Sequence, residues 1–516
     1  SSRGTLTRRV SRQPCSPLFH IELRASPFWR PDMALTLRAT CSALLSALGA
    51  FLFGLDIGYI APILTCESFK RDIAGLDQPG DAIPKVLEGF IVGIFSIGCI
   101  LTSFPTVSGF FLDYLGRRDS IILGAGVFLV GCLLQGLCKS VEQMLVGRFI
   151  AGMSIGLLST VVALYQSEVA APGSRGALTS LYQLMITFGI LVAALLGAVL
   201  VHRPGGWRLS ILLQAVPACC LLFGMPCLPR SPRWLAQVGR RHEARQALEQ
   251  LRGDEAEAQA ELEGIVSECS ASTALGKTPW TDLLDSYMIR ILTVGVVLQL
   301  FQQLVGMNAF MYYGPSIYAS MGLDPYKYQV YTNLVNFLAT FPAIMLVDVI
   351  GRRLLLVLGA AVMTCCSLLM AYVGSTYLSE GGGSMGGLVT ACAIGCVWCF
   401  VGFFAATWGP AVWVYVAEIY PLSHRSRCMG ICTTANWVGN YAVAQLTPVL
   451  LHSLGFGTFY VFGAFAAMAT GLALWLPETS GVSLERMEGV FKRRLGLDSL
   501  KRADNPQKLD YGSVTK

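Results

Sequence analysis

The chain has 516 residues, of which 54% are hydrophobic and only 14% are charged, and its mean hydropathy is +0.57. Because soluble proteins carry about 25% charged residues, this composition excludes a chain built only of soluble domains. The net charge is +6, and the topology below accounts for it without nucleic acid as a partner. Apolar stretches of about 18 or more residues recur, long enough to cross a bilayer. The sequence predicts an integral membrane protein.

The first segment, residues 1–38, is predicted to be a disordered tail. Residues 1–32 are rich in Arg, Ser and Pro and precede Met33. Two interpretations are open, a targeting extension of the Arg- and Ser-rich kind and sequence upstream of the natural start. We assign no function to this segment.

Twelve apolar segments follow, six on each side of a polar insert. We predict an all-α membrane protein with an N-terminal six-helix bundle at 39–228, a cytoplasmic helical linker at 229–288, a C-terminal six-helix bundle at 289–477 and a cytoplasmic tail at 478–516. The predicted spans lie near residues 40–64, 86–107, 119–138, 141–165, 176–201, 208–228, 289–319, 326–349, 354–378, 387–420, 426–452 and 457–476.

The two halves repeat one charged motif, an acidic residue followed by Gly-Arg-Arg at the end of a span. A second acidic and basic pair, seven residues apart, follows two spans later in each half. Clustered charges at matching places in two apolar halves indicate a duplicated protein whose halves lock and unlock. The residues of these two clusters are Asp113, Arg117, Arg118, Glu168 and Arg175 in the first half, and Asp348, Arg352, Arg353, Glu418 and Arg425 in the second.

Lys and Arg residues concentrate in the loops on one side of the predicted spans, the side that also carries the insert. Cytoplasmic loops hold the excess of basic residues, so we expect this side and both termini to be cytoplasmic. Within the insert, residues 240–268 alternate charged residues with Ala and Leu at helical spacing. This pattern predicts one or two short surface helices. A solvated linker and a regulatory element both fit it.

Most of the 17 cysteines lie inside apolar spans, where they act as small packing residues. Cys66 and Cys138 fall near the predicted outer surface, where a disulfide between them is an open alternative. No Cys/His spacing fits a metal site, and the sequence has no Gly-Lys-Ser/Thr phosphate loop. We therefore expect no metal, no cofactor and no ATP-driven pump. No catalytic constellation of an enzyme is present either.

Asp56 and Arg148 are charged residues that lie well inside predicted spans of the first half, away from the span ends. An unpaired charge at the bilayer centre costs about 2.5–3.5 kcal/mol on the insertion scale, so we expect these two residues to form an ion pair. Two roles are open for the pair. It is either a structural clamp or a site at which Asp56 takes up and releases a proton.

Uncharged polar and aromatic residues form a second set inside the spans. Gln302 and Gln303 precede Asn308 on the seventh span, which Gly306 and Pro315 are expected to break. Amide side chains both donate and accept hydrogen bonds, which suits the hydroxyls of a polyol or sugar. A single amide is more often an interhelical contact, but several converging amides favour a ligand site. The other members are Gln183, Tyr312, Tyr313, Asn336, Trp408, Trp413, Asn436 and Trp437.

Together these motifs resemble the sugar porter family of the major facilitator superfamily over about residues 38–486. The stretches 182–189 and 427–437 are similar to hexose transporters of the fungal, protist and plant type. The resemblance implies two six-helix bundles related by pseudo-two-fold symmetry. The motifs that carry it are Gly-Arg-Arg at 116–118 and 351–353, Gly147-Arg148, Gln-Gln-Leu-Val-Gly-Met-Asn at 302–308, Trp-Gly-Pro at 408–410 and Pro-Glu-Thr-Ser-Gly at 477–481.

The resemblance also implies roles for individual residues. The charge clusters correspond to a cytoplasmic salt-bridge network that holds the outward-open state, and Asp56 with Arg148 corresponds to a proton-linked pair. One departure is visible, because the family's Pro-Glu-Ser-Pro-Arg after the sixth span reads Pro-Arg-Ser-Pro-Arg at 229–233. This reversal leaves the docking of the insert open. The implied sugar contacts are Gln183, Gln302, Gln303, Asn308, Asn336 and Asn436, with Phe53 and Trp413 packing against the sugar.

We therefore expect a secondary active transporter, not an enzyme, that moves a monosaccharide by alternating access. A hexose is the expected substrate, a proton the coupling ion and a monomer in the lipid bilayer the functional unit. The alternatives are a facilitative uniporter and a transporter-like sugar sensor. Sensors of this kind usually signal through a long cytoplasmic tail, whereas the predicted tail at 478–516 is short. We expect the plasma membrane, with the vacuolar and plastid membranes as alternatives.

Overall fold

The computed structural model describes residues 37–76, 78, 81–170, 175–274, 279–378, 387–421, 424–480 and 484–495. Contacts between residues group the chain into Ser1–Ala34 and Leu35–Lys516, and the predicted N-terminal tail lies almost wholly outside the described residues. The second unit is helical, and its described part contains no β-strand. The predicted all-α membrane fold is confirmed.

The first half of the second unit has nine described helices, and all of them except the short second one build the first six predicted spans. Its second span bends at Phe104, where the chain turns before a proline at the first position of the next helix. These helices are α1 (Leu37–Thr65), α2 (Glu67–Ala74), α3 (Lys85–Ser103), α4 (Pro105–Tyr114), α5 (Arg117–Gly136), α6 (Val141–Val169), α7 (Arg175–Leu200), α8 (Gly206–Leu212) and α9 (Ala215–Gly224).

The second half fills the remaining predicted spans, and the seventh and tenth are each built of two helices. Its helices are α13 (Ser286–Leu304), α14 (Met307–Ser320), α15 (Pro325–Ile350), α16 (Arg352–Val373), α17 (Gly387–Ala406), α18 (Trp408–Ile419), α19 (Arg425–Leu454) and α20 (Thr458–Trp475). Between the halves lie α10 (Pro232–Gln237), α11 (Arg241–Arg252) and α12 (Glu255–Ala274), and α21 (Leu484–Arg494) follows the second half.

Eleven segments of the described chain are long and apolar enough to cross a membrane. The last of them, Arg425–Trp475, contains both α19 and α20, so the segments provide twelve candidate passes. Within the first half α1 packs on α7 and α5 on α6, and within the second half α16 packs on α20 and α13 on α19. Across the halves α3 packs on α19, α7 on α15 and α1 on α14. Residues on these six helices therefore define the interface between the halves.

The seventh span breaks at Gly306, as expected, and it continues as a helix through Pro315, where the predicted second break is absent. The backbone of Gly306 is left-handed, with φ at +94°. A Cβ atom there would lie 2.6 Å from the ring of Phe462 on α20. Only glycine combines this backbone with this close approach. Proline is tolerated inside α14 since neighbouring helices stabilise the local distortion.

Replacing Gly306 with alanine is expected to lower the thermal unfolding temperature of the purified protein clearly. The left-handed backbone alone costs an alanine about 1–2 kcal/mol, and the contact with Phe462 adds to that. Gly395 of α17 supplies the matched control, because a Cβ atom there meets no other atom within 4 Å. Equal unfolding temperatures for the two alanine variants would contradict this account of the break.

The insert forms a small helical unit with a hydrophobic core of its own. Trp234, Leu235, Leu248 and Leu262 are buried in that core. Residues 240–268, predicted to form one or two helices, contain α11 and most of α12. The residues of α11 that pack in this core recur at helical spacing, and its charged residues other than Arg252 are at least partly exposed. The insert is thus a folded unit that can dock as one piece.

Docking of the insert depends on the end of α6. The guanidinium of Arg252 donates to the carbonyls of Val169 and Ala170 at 3.0 and 3.2 Å, and it also binds both carboxylate oxygens of Glu261. The last carbonyls of a helix have no partner within the helix. Arg252 satisfies carbonyls there and so joins the insert to the first half.

Candidate functional site

Four predicted amides form one hydrogen-bonded chain in the second half. Asn308 Nδ2 donates to Gln303 Oε1 at 2.6 Å, and Gln303 Nε2 donates to Asn436 Oδ1 at 2.9 Å. Asn436 Nδ2 donates to Gln302 Oε1 at 2.7 Å, and Gln302 Nε2 donates to the carbonyl of Trp408 at 2.9 Å. We call these four side chains the amide chain. It joins α13, α14 and α19 and ends on α18.

The break at Gly306 makes this chain possible. Gln303 and Asn308 are five residues apart, and only residues three or four apart face each other on a continuous helix. Because the chain turns at Gly306, the first turn of α14 brings Asn308 back over Gln303. Asn308 is half-buried, whereas Gln302, Gln303 and Asn436 are buried. One end of the amide chain is therefore partly open and the other is enclosed.

Gln299 is a further member that the sequence interpretation missed. Its Oε1 accepts from Asn436 Nδ2 at 2.7 Å. The side chain is fully buried, and within the described residues its Nε2 has no hydrogen-bond partner. Its spacing from Gln302 and Gln303, three and four residues, places all three amides on one helix face. That spacing is the signal in the sequence that could have identified Gln299.

Residues of the first half approach this site from across the interface. A Cβ atom at Gly409 would lie 3.8 Å from Nε2 of Gln183 on α7, beside the carbonyls that Gln302 contacts. The rings of Phe53 on α1 and Trp437 on α19 lie 5.3 Å apart. Both halves thus contribute polar and aromatic side chains to the same region.

Two further predicted sugar contacts lie outside the amide chain. Asn336 is buried on α15, and the hydroxyl of Thr340, one turn later, donates to the Asn336 carbonyl at 2.9 Å and lies 3.3 Å from the Thr187 hydroxyl on α7. Among the described contacts, no hydrogen bond joins the Asn336 amide to the amide chain. Trp413 is half-buried on α18, one turn after Gly409. The structure places both residues near the interface between the halves.

Asp56 and Arg148 lie together inside the first half, and each is 1% exposed. Arg148 Nη1 lies 3.7 Å from Asp56 Oδ2, which is ion-pair distance but too long for a hydrogen bond. Neither oxygen of Asp56 has a hydrogen-bond partner within the described residues. Burying an ionised carboxylate without hydrogen bonds is costly. This environment therefore favours a group that can become neutral.

Tyr59 and Gln135 complete this buried group, and the sequence interpretation singled out neither. Arg148 Nη1 donates to the hydroxyl of Tyr59 at 2.5 Å, and Nη2 donates to the carbonyl of Val92 at 3.3 Å. The Tyr59 hydroxyl in turn donates to Gln135 Oε1. Tyr59 lies one turn after Asp56 on α1, so both side chains reach Arg148.

The two charge clusters repeat one geometry in the two halves. Arg117 Nε lies 3.0 Å from Glu168 Oε2, and Arg352 Nη2 lies 3.0 Å from Glu418 Oε1. Each arginine also donates to the carbonyl five residues earlier. Each follows a glycine with positive φ, +81° at position 116 and +90° at position 351. The glycine lets the chain turn sharply into the next helix, which aims both arginines in the same way.

The other cluster residues differ in their surroundings. Arg425 donates to the carbonyl of Tyr420 at 3.2 Å, and Arg353 donates to that of Leu474 at 2.7 Å. Asp113 is exposed, and none of the described ion pairs includes its carboxylate. The side chains of Arg175 and Asp348 lie outside the described part. Each described ion pair of the clusters lies within one half.

The reversed charge at Arg230 has a partner that sequence reasoning missed. Arg230 Nη2 lies 2.7 Å from Asp119 Oδ2, and Arg118 Nε lies 2.9 Å from Asp119 Oδ1. Ser231 donates to Glu168, and Trp234 Nε1 donates to the carbonyl of Asp113 at 3.1 Å. The insert therefore docks on the first cluster. Asp119, not Asp113, supplies the acid between Arg118 and Arg230.

Glu478 takes the corresponding place in the second half. Its carboxylate accepts from the backbone N–H groups of Arg352 at 2.9 Å and Arg353 at 3.0 Å. These N–H groups begin α16, where the orphan donors and the helix dipole favour a negative charge. Glu478 follows Pro477 as Arg230 follows Pro229. The two halves therefore carry opposite charges at corresponding positions.

Replacing Arg117 with alanine is expected to destabilise the protein by about 3–5 kcal/mol, since a buried carboxylate that loses its partner is left uncompensated. Glu168 is that carboxylate, with 7% of its surface exposed. Thermal unfolding in detergent measures the effect. Arg240, whose pairing with Glu243 is solvent-exposed, provides the control, and its alanine variant should unfold near the parental temperature. An Arg117→Ala variant as stable as the Arg240→Ala variant would contradict the structural role of the pair.

The predicted alternative of a disulfide between Cys66 and Cys138 does not agree with the structure. Both thiols are free and buried. Cys66 Sγ lies 3.1 Å from the hydroxyl of Ser68 and donates to the carbonyl of Val201. Each cysteine packs within the first half as a small buried residue.

A family model described as "Sugar (and other) transporter" matches residues 42–491 of this chain. The chain belongs to this sugar transporter family. The match covers both halves and the insert between them, so the matched region contains the amide chain, the Asp56–Arg148 pair and both charge clusters. Members of the family are transporters, and this sugar transporter is not an enzyme.

Several relatives of this sugar transporter are fungal proteins. The probable glucose transporter rco-3 of Neurospora crassa is 36% identical over 477 residues, which is 87% of this chain and 78% of the relative. The galactose transporter of Saccharomyces cerevisiae is 32% identical over 459 residues, 86% of this chain and 80% of the relative. The predicted similarity to fungal hexose transporters is confirmed.

Solved structures of similar fold include two of the xylose transporter XylE. The partially occluded inward-open conformation of XylE from E. coli superposes with a TM-score of 0.73 at 25% identity, covering 87% of this chain and 100% of that one. The proton:xylose symporter XylE bound to 6-bromo-6-deoxy-D-glucose gives 0.71 at 26% identity, with coverage of 88% and 99%. The major facilitator fold of this sugar transporter is thereby confirmed.

Proposed function

We propose that this sugar transporter moves a monosaccharide, with a hexose as its substrate, by alternating access and together with a proton. The observation that carries the proposal is the amide chain at the interface between the halves. Its members are Asn308, Gln303, Asn436 and Gln302, and Gln183 approaches from the other half. Movement of one half against the other opens such a site to each side in turn.

The chemistry of the site suits sugar hydroxyls. Each hydroxyl donates one hydrogen bond and accepts others, and amides can do both. The partly open end at Asn308 is where a hydroxyl can join the chain of amide bonds. Phe53 and Trp413 offer aromatic faces for the C–H surface of a sugar ring. Relatives named as glucose and galactose transporters support a hexose, and Asn336 is proposed as a further contact.

Proton coupling is supported by the environment of Asp56. The carboxyl is buried, and its oxygens have no hydrogen-bond partner among the described residues. The solved relative XylE is named a proton:xylose symporter. We propose that Asp56 carries the proton and that its protonation weakens its attraction to Arg148. A pair that serves only as a clamp would instead be expected to form close hydrogen bonds.

A line of contacts connects this pair with the amide chain. The guanidinium carbon of Arg148 lies 5.2 Å from the centre of the Phe95 ring. Phe95 in turn lies 5.9 Å from the ring of Trp437, which neighbours Asn436 in sequence. A change in the position of Arg148 can therefore be transmitted to the proposed sugar site through these packed side chains. Sugar and proton shift the balance between states only by binding one state better than the other.

We further propose that the two charge clusters favour the outward-open state. The pairs Arg117–Glu168 and Arg352–Glu418 hold the inner ends of each half rigid, so the halves move as units. The excess of basic residues on that side supports a cytoplasmic location for it and for both termini. The proposed location is the plasma membrane, with the vacuolar and plastid membranes as alternatives, and the proposed functional unit is the monomer.

Uptake of radiolabelled D-glucose into proteoliposomes, with and without an inward proton gradient, tests this function. Symport predicts accumulation above the external concentration only when the gradient is present. A uniporter would equilibrate glucose at the same level in both conditions. A sugar sensor would bind glucose without transporting it. Either of the last two results would contradict the proposal.

A further inference from the structure

Arg148 is engaged by groups other than Asp56. One of its terminal nitrogens donates to the Tyr59 hydroxyl and the other to the carbonyl of Val92. The nearer of these nitrogens lies 2.5 Å from the tyrosine oxygen but 3.7 Å from the aspartate oxygen. Arg148 is therefore bound to the tyrosine in this conformation and only close to the acid.

The direction of the tyrosine hydrogen bond is fixed by Gln135. The Gln135 amide nitrogen donates to the carbonyls of Gly131 and Gly147 at 3.1 and 3.2 Å, which orients its oxygen. That oxygen accepts from the Tyr59 hydroxyl. A hydroxyl has one proton to donate, so Tyr59 accepts from Arg148 and has no proton left for Asp56. The carboxyl thus receives no bond from Tyr59.

We propose that Tyr59 is a positioning residue for proton coupling: its hydroxyl holds Arg148 away from direct hydrogen bonding with Asp56. This inference rests on the proposed function of Asp56 as the proton carrier. Held in this way, Arg148 leaves the carboxyl free to accept a proton without first breaking a close ion pair. Gln135 supports Tyr59 by fixing its hydroxyl.

The surroundings of Asp56 leave Arg148 as the group whose position matters. The titratable or charged groups that face it are Arg148 from α6, Tyr59 from α1, Cys99 from α3, Cys132 from α5 and Tyr312 from α14. Arg148 is the one cation in this described set. A shift of its guanidinium by about an ångström therefore changes the strongest electrostatic attraction that acts on the carboxylate.

Replacing Tyr59 with phenylalanine removes the acceptor and leaves the ring. Arg148 then has Asp56 as the nearest alternative acceptor, and a closer cation stabilises the ionised carboxylate. A higher proton concentration is then needed to protonate it, so the pH of half-maximal D-glucose uptake should move about one unit toward acid. The measurement is the pH profile of proton-driven uptake into proteoliposomes. Unlike a change in rate alone, this shift does not follow from a merely structural role.

Tyr318→Phe is the matched control. Tyr318 lies in the second half, is equally buried, and its hydroxyl pairs with that of Thr332. The Tyr318→Phe variant should therefore keep the parental pH profile. A Tyr59→Phe profile that superposes on the parental one overturns the inference. If the Tyr59→Phe variant also loses D-glucose counterflow, the Gln135→Leu variant is measured instead. The same acid shift is expected for it, and an unchanged pH profile overturns the inference. Asp56→Asn is measured in parallel, and if it retains acid-driven accumulation, the proposed coupling fails independently of Tyr59.

Discussion

Replacing Gln302 with alanine is expected to reduce the kcat/KM of D-glucose uptake about a hundredfold or more. Gln302 accepts from Asn436 and donates to the Trp408 carbonyl, so its loss removes the enclosed end of the amide chain and its link to α18. Each buried partner left unpaired costs about 1–3 kcal/mol, and the sugar loses a donor and an acceptor. Initial uptake rates in proteoliposomes, at several glucose concentrations, measure the effect.

Gln259→Ala is the matched control for this change. Gln259 lies on α12 of the insert and is partly exposed, and its amide contacts only Glu263 among the described hydrogen bonds. Its variant should transport glucose at the parental rate. Both proteins must appear in the membrane at equal amounts, which size-exclusion chromatography of the solubilised protein determines. Parental uptake kinetics in the Gln302→Ala variant would show that the amide chain is interhelical packing and not the sugar site.

Replacing Asp56 with asparagine is expected to abolish accumulation of D-glucose against its gradient and to leave counterflow in place. Asparagine has nearly the shape of aspartate but cannot exchange a proton. Accumulation needs the proton as a driving ion, whereas counterflow needs only the alternating movement of the loaded protein. Loss of the negative charge also leaves Arg148 with Tyr59 and Val92 as its partners.

Asp254→Asn serves as the matched control for the Asp56 variant. Asp254 accepts from the backbone N–H of Ala256 at the start of α12, a role that asparagine fills equally well. Its variant should accumulate glucose like the parental protein. If the Asp56→Asn variant accumulates glucose to the parental level under a proton gradient, another group carries the proton or none does.

Length, apolarity and motif order in the sequence predict the twelve passes and the two halves. Their interruptions are harder to predict. Gly306 breaks the seventh span because its backbone is left-handed and Phe462 packs against it, whereas Pro315 remains inside α14. Both residues are helix breakers by propensity. Which of them acts depends on the neighbouring helix, and the sequence does not give the position of Phe462.

The amide chain was partly predictable from the sequence. The sequence singles out Gln302, Gln303, Asn308 and Asn436 because polar groups are costly inside spans. It does not show that Asn436 lies between the glutamines, since that contact joins residues more than 130 positions apart. Gln299 was missed although its spacing from Gln302 places both on one face.

The charge clusters illustrate another limit. Matching Gly-Arg-Arg motifs correctly indicate matching geometry in the two halves. Which acid faces which arginine depends on how the insert docks, so Asp119 pairs with Arg118 and Arg230 while Asp113 faces outward. Tyr59 was missed for a related reason. In the sequence, a tyrosine in an apolar span is expected to be a packing residue. Only the structure shows that its hydroxyl lies between Arg148 and Gln135.

Sugar-driven proton movement tests the central claim most directly. Proteoliposomes containing a pH-sensitive dye are mixed with D-glucose in the absence of any initial pH gradient, with the membrane potential clamped at zero. Glucose entry is expected to acidify the interior with the parental protein and not with the Asp56→Asn variant. Glucose entry with the parental protein and no change in internal pH would contradict proton-coupled transport through Asp56.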